Sequence, residues 1–153
     1  MKKVNIRTIK PNKVLLSKKR NYFVNHVILQ DISKIIGAKD MKMYYAGFRT
    51  GARTKMHYHE GGQILIVTGG KGILALYKIN KTLNKKMIIK PIAKSILKVG
   101  DIAYIPKNTL HWHGAIEGKN FSHIAINSFT SNGKEAKTIW YDSDYSTFAI
   151  RIK

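Results

Sequence analysis

The sequence predicts an all-β chain closed into a barrel or sandwich of short strands. Three observations point there. Apolar and β-branched runs of four to eight residues recur along the chain, and Gly, Pro, Asn and Asp punctuate them. Nothing beyond one short stretch sustains the 3.6-residue period of a helix. At 153 residues and 44% hydrophobic content the chain can fill one core, so a single domain over 1–153 is expected.

The elements follow in order. Residues 1–21 read as a basic N-terminal arm, and 22–29 (YFVNHVIL) as the opening strand. The stretch 30–36 (QDISKII) fits one short helical turn that ends at Gly37. Strands are then expected over 42–49 (MKMYYAGF) and 63–68 (QILIVT), with Gly69-Gly70 as a turn into 72–79 (GILALYKI). Residues 80–85 (NKTLNK) read as a hairpin connection to 86–92 (KMIIKPI). The Gly100-Asp101 turn introduces 102–105 (IAYI), Pro106-Lys107-Asn108 leads into 110–115 (LHWHGA), and 121–127 (FSHIAIN) closes the core, which spans about 42–127. Residues 138–153 form a C-terminal arm, and both arms are expected to pair with the sheet or with a second subunit. About eight short strands with regular turns suit a barrel, whose closure leaves no exposed edge. No repeat, low-complexity segment or linker interrupts the chain.

Composition removes several function classes. No apolar run approaches the ~18 residues of a membrane span. The basic start MKKVNIRTIKPNK is followed by no apolar segment of the secretory kind, so the cytoplasm is the expected location. The chain has no cysteine, which excludes disulfides, thiolate metal sites and a cysteine nucleophile together. Lys and Arg number 28 against 8 Asp and Glu, a formal charge of +20. Such an excess invites nucleic acid. The distribution argues against it, because the lysines are scattered, the longest basic run is Lys18-Lys19-Arg20, and arginine occurs only 5 times. With 22 Ile, 23 Lys and 10 Asn, the charge reads as a compositional drift that gives a solvated basic surface. No specific nucleic acid and no membrane is expected as a partner. A small-molecule substrate is, with a bias toward an anionic one.

The histidines carry the chemistry. Five of the six fall between 57 and 123. His57 and His59 are two apart, so on a strand both rings point to one face, and His111 and His113 repeat the spacing. Gln63 follows His59 by four across a Glu60-Gly61-Gly62 turn, and His123 stands in a strand of its own. Two His-x-His pairs facing one interior are what a nitrogen-rich metal site needs. Neutral imidazoles suit Mn, Fe, Ni, Cu or Zn. Packing so many imidazoles indoors is costly without a metal or protons to organise them. His26, alone on its strand, reads as an ordinary surface or core residue.

These residues fall into a recognisable pattern. Gly51-x5-His57-x-His59-x3-Gln63-x6-Gly70 resembles the first cupin motif, with Gln in place of the usual Glu. Gly100-x5-Pro106-x4-His111 resembles the second, with Asn108 for the expected Gly and Ala115 for the usual terminal Asn. The resemblance implies the cupin barrel, a double-stranded β-helix or jelly roll. The stretches GARTKMHYHEGGQILIVTGGKG, GDIAYIPKNTLHWHGA and SHIAI are similar, more narrowly, to small manganese cupins related to hydroxynitrile lyases and to carboxymuconolactone-decarboxylase-like cupins. That resemblance implies a metal held by His57, His59, Gln63 and His111, with His113 and His123 in the pocket as non-ligating catalytic residues. It also implies that Tyr44 and Ala46 line the substrate pocket, and Phe48 is counted with them.

One divalent transition metal is therefore expected, Mn first, with Fe, Ni or Zn as alternatives. Gln in place of Glu removes a negative charge, which leaves the metal a stronger Lewis acid. His113 shares a strand face with His111, roughly 6–7 Å along the strand. At that distance it reaches a bound substrate rather than the same coordination position. A histidine with the ordinary pKa of about 6.5 suits proton transfer near neutrality. The expected function is a metal-dependent lyase or isomerase acting on a small molecule. An Fe-dependent dioxygenase and a non-catalytic module for a small ligand or metal are the alternatives. A homodimer is expected through the terminal strands and outer sheet. Arg49 and Arg53 flank Gly51 and read first as surface or structural residues, and Trp112 should pack away from the metal. Glu60 reads as a neighbour of the ligands or a solvent-facing residue, and Asp101 as a turn former.

Overall fold

The fold is that of a computed structural model, which describes residues 1–10 and 20–152. Residues 11–19 of the expected N-terminal arm, with Lys18 and Lys19 of the basic run, lie outside the described residues, as does Lys153. A short 3-10 turn, Arg20–Tyr22, precedes β1 (Phe23–Val24) and β2 (Val27–Asp31). Helix α1 (Ile32–Ile36) is held at both ends: the Asp31 carboxylate accepts from the Lys34 N–H at 2.9 Å, and Gly37 closes it at φ 74°. The remaining strands are β3 (Lys42–Phe48), β4 (Arg53–Thr54), β5 (Met56–His59), β6 (Gln63–Leu83), β7 (Lys86–Lys98) and β8 (Ile102–Ile105). They are followed by β9 (Leu110–Ala115), β10 (Phe121–Asn127), β11 (Thr138–Ser143) and β12 (Phe148–Arg151).

Two sheets share β6. In the first, antiparallel pairings run β6–β9–β5–β11–β12–β7 and return to β6, closing a ring. In the second, the order is β8–β6–β10–β3–β2. The chain is all-β with a closed barrel, as its sequence predicts.

Several expected boundaries move, each for a local reason. The run 22–29 is not one strand, because Asn25 takes a left-handed φ of 61° and breaks it into β1 and β2. The expected strands 63–68 and 72–79 are one continuous strand. Gly69-Gly70 is not a turn but the place where β6 passes from the second sheet to the first, with a register shift against Ser122 and His123. Only glycine fits there: Gly70 sits at φ 70°, and a Cβ would lie 1.9 Å from the Asn120 carbonyl oxygen. Strand β6 also runs through most of 80–85, leaving a two-residue turn at Asn84 and Lys85, both at positive φ, as a tight hairpin requires. Strand β7 continues past 92 to Lys98. The expected C-terminal arm 138–153 holds β11 and β12, which pair with β5 and β7 of the same chain.

Alternation along the strands separates hydrophobic packing from polar function. Leu65, Val67, Phe48, Phe121 and Ile105 belong to one buried cluster between the sheets. Met56, Tyr77, Met87, Leu110 and Ala149 form a second, built only from strands of the ring. In β5 and β9, Met56 and Leu110 face that second cluster, and Tyr58 and Trp112 pack against it. Their neighbours His57, His59, His111 and His113 therefore point the other way, between the sheets.

Candidate metal centre

All five histidines of the constellation are buried, none more than 6% exposed. Register brings the pairs together: His57 lies directly opposite His111 where β5 meets β9, with ring centroids 4.1 Å apart. The His59 ring is 5.0 Å from His57 and 5.4 Å from His111. His113 lies 6.0 Å from His111, close to the distance that strand geometry predicts. Among the described residues, one nitrogen each from His57, His111 and His113 lie within 4.8 Å of one another. His113, expected to be non-ligating, thus stands within ligand range of His57 and His111, with His59 next to those two rings and Gln63 on the same cavity as His57 and His113.

Hydrogen bonds fix which nitrogen each ring offers. His57 Nδ1 is 2.9 Å from the Lys55 carbonyl and His111 Nδ1 is 2.7 Å from the Thr109 carbonyl. A carbonyl can only accept, so both Nδ1 atoms carry the proton and both Nε2 atoms present a lone pair. His59 Nδ1 is held by Thr138 Oγ1 at 2.8 Å. His111 Nε2 and Gln63 Oε1 are buried without a hydrogen-bond partner. Buried orphaned acceptors are rare and call for a reason. A cation supplies one, and imidazole nitrogens with a carboxamide oxygen suit a divalent transition metal.

Burial dominates the titration of the rings. It pushes His111 down to about 4 and His123 down to about 3, each partly offset by a hydrogen bond to the backbone. His57 and His113 are also held well below the ordinary imidazole value, by burial first and then by the neighbouring histidines. This corrects the expectation of an ordinary pKa at His113. At neutral pH these rings are uncharged, the state a metal ligand or a proton acceptor requires.

A cavity of about 60 Å³ opens between the sheets beside these residues. Tyr44, Ala46 and Phe48 line it, as expected, with His57, Gln63, His113 and His123, whereas His59 and His111 are not among its lining residues. His113 Nδ1 and His123 Nε2 are 3.2 Å apart, so the two expected catalytic residues touch. Phe48 packs on both, with ring centroids at 5.7 and 5.6 Å. Among the described residues the cavity lining includes no lysine or arginine, and its one charged side chain is Glu135.

Other expectations resolve simply. Arg53 stacks over Tyr145 at 4.1 Å, Trp112 donates to the Tyr77 hydroxyl at 3.1 Å, and both are structural. Arg49 and His26 are exposed and line a separate outer cavity of about 250 Å³, on which Phe48 also borders. Glu60 faces solvent, and Asp101 caps its turn by accepting from the Lys98 N–H at 2.7 Å.

The structure adds residues that sequence reasoning missed. Trp140, opposite His57 in the β5–β11 register, stacks on that ring at 4.3 Å. Asn127 accepts from Gln63 Nε2 at 2.7 Å and donates to Glu135 Oε1 at 2.9 Å. The Tyr44 hydroxyl donates to Glu135 Oε2 at 3.1 Å, and burial followed by the Glu135 charge raises its pKa, which keeps the proton on the phenol. Asn127 could have been found, since it lies four residues beyond His123 on the same strand face. Glu135 and Trp140 had no such signal.

Residues 34–143 match the cupin family. The chain is 35% identical to a cupin-like protein of known structure from Thermotoga maritima, with a TM-score of 0.59 over 80% of this chain and 81% of that one. It is 33% identical over 79 residues to an (R)-mandelonitrile lyase from Granulicella tundricola, and it spans about half (50%) of that relative's length. An oxalate decarboxylase variant from Bacillus subtilis shares the fold at 15% identity, with a TM-score of 0.54 over 74% of this chain and 27% of that one.

Proposed function

The chain belongs to the cupin family, and from that premise we propose that it is a metal-dependent enzyme of lyase or isomerase type acting on a small molecule. In this reading His57, His59, Gln63 and His111 hold one divalent transition metal, manganese first, and His113 with His123 moves a proton. The observation that carries it is the pair of buried, orphaned acceptors, His111 Nε2 and Gln63 Oε1, beside a cavity that His113 lines. The bound metal would supply Lewis acidity toward a substrate oxygen.

The chain's own residues do the rest. His113 lines the cavity, and its uncharged imidazole can accept a proton from a substrate hydroxyl. His123 holds the Nδ1 side of that ring at 3.2 Å, which leaves Nε2 for the substrate. Phe48 and Ala46 keep water from the reacting group, and the cavity of about 60 Å³ selects a compact substrate. Cleavage of a cyanohydrin fits these parts. The hydroxyl proton passes to His113, the carbon–carbon bond to the nitrile breaks as the carbonyl forms, and the departing cyanide takes the proton. The likeness to a mandelonitrile lyase supports this chemistry as an activity of the site, whatever its physiological substrate.

The test is a reconstitution of metal-free protein with Mn(II) without oxygen, followed by a compact aliphatic cyanohydrin beside mandelonitrile and detection of the released cyanide. The expected result is anaerobic turnover that requires the metal. Oxygen consumption that requires Fe(II), with no anaerobic turnover, would replace this reading by the dioxygenase one.

A further inference from the structure

We propose that Glu135 is a positioning residue that sets which atom Gln63 turns toward the histidines, acting through Asn127. The inference rests on the metal-centre reading for its purpose, but its geometry stands without it. Carboxamides have two nearly isosteric ends, one that donates and one that accepts, and nothing in the fold of Gln63 itself chooses between them. A carboxylate has no such ambiguity. Both oxygens of Glu135 receive donors, Tyr44 Oη on one and Asn127 Nδ2 on the other. Asn127 must therefore aim its amino end at Glu135 and its carbonyl end at Gln63. Gln63 must then donate through Nε2, as it does at 2.7 Å, and its Oε1 is left facing away from the relay. That oxygen is one of the buried side-chain atoms without a hydrogen-bond partner among the described residues. The single charge at the end of the relay so specifies a ligand oxygen rather than an amino group at the site.

The relay is built rather than incidental. Glu135 sits in the loop between β10 and β11, and that loop is fastened to the Glu60–Gly62 turn from which Gln63 departs. Glu60 N–H donates to the Lys137 carbonyl at 2.9 Å, and Ser128 N–H donates to the Gly62 carbonyl at 3.0 Å. Gly61 fits beneath the loop so closely that a Cβ would lie 2.2 Å from Ser128 Oγ and 2.8 Å from Ala136 Cβ. Both ends of the relay are thus carried by one fixed unit.

The experiment uses Glu135→Gln and the double variant Asn127→Asp/Glu135→Gln. In the single variant every member of the relay can reverse, so Gln63 can present its amino end to the histidines. In the double variant the carboxylate at 127 accepts from both sides and restores the original direction. Two readouts are needed, because Glu135→Gln also removes a charge. In metal-free, isotope-labelled protein, the scalar coupling across the hydrogen bond from Gln63 Nε2 to the side-chain carbonyl of residue 127 should be present in the wild type and the double variant, and lost or weakened in Glu135→Gln. In titrations with Mn(II) alone, Glu135→Gln should bind about 10–100-fold more weakly, and the double variant should recover most of the loss.

A wild-type protein without the coupling overturns the proposal, as does a Glu135→Gln variant unchanged in both coupling and affinity. A wild type that shows the coupling yet takes up no Mn(II) leaves the relay standing and removes the metal-centre reading instead.

Discussion

Replacing His113 with alanine is expected to cut turnover by roughly 10²–10⁴-fold while metal content stays at the wild-type level, the size usual for losing a positioned acid–base group. The expectation follows from where the ring sits. His113 lines the cavity and touches His123 at 3.2 Å, and burial keeps it uncharged. It does not share the backbone-carbonyl bond at Nδ1 that fixes the tautomers of His57 and His111. Its nitrogen is nonetheless within 4.8 Å of theirs, so the ligand role competes directly. Metal content measured beside rate separates the two. Loss of metal in His113→Ala would make His113 a ligand and return the proton-transfer role to His123 alone. His123→Ala, which removes the contact to His113 Nδ1 and one lining residue of the cavity, is expected to have the smaller effect on rate.

The metal-free protein is expected to lose stability steeply between pH 6.5 and pH 4. An unfolded histidine titrates near 6.5, whereas burial holds His111 at about 4 and His123 at about 3 in the folded chain. Below pH 6.5 the unfolded state therefore binds more protons than the folded one, and stability falls as pH falls until the folded-state value is passed. For His111 the loss approaches about 3 kcal/mol near pH 4, and His123 adds a loss of the same order. His57 and His113 shift in the same direction. Several kcal/mol is a large part of a typical domain's stability. Urea unfolding of metal-free protein at pH 7, 5.5 and 4.5 checks this. The midpoint should drop at each step, and a constant midpoint over that range would show that the rings are not buried together. Added Mn(II) at pH 7 should raise the midpoint, since binding to the folded state alone stabilises it.

Much of the fold was legible because it rests on local alternation. β8, β9 and β10 begin and end where 102–105, 110–115 and 121–127 place them. The helical turn before Gly37 was legible from its glycine, whereas its Asp31 cap emerged only in the structure. What escaped was decided by partners far away in sequence. Gly69-Gly70 carries the local chemistry of a turn, yet the close approach of the Asn120 carbonyl makes it a crossing point within one strand. The last strands, β11 and β12, owe their place to pairing with β5 and β7 rather than to a strong pattern of their own.

The candidate site divides the same way. The period of two along a strand was enough to turn both His-x-His pairs inward, and Gln63 follows from its place at the start of β6. Which nitrogen each ring offers depends on the Lys55 and Thr109 carbonyls, and spacing does not encode that. The direction of Gln63 depends on Glu135, 72 residues away in a loop that no periodicity marks. The depressed pKa of His113 depends on complete burial among other histidines, which composition cannot report.

The metal centre is tested at its root by elemental analysis, by plasma mass spectrometry, of untagged wild-type protein beside a His57→Ala/His111→Ala variant. Close to one Mn or Fe is expected per wild-type chain and almost none in the variant, with the variant still folded. A wild-type protein that carries no metal and takes up none when offered Mn, Fe, Ni or Zn would contradict that centre.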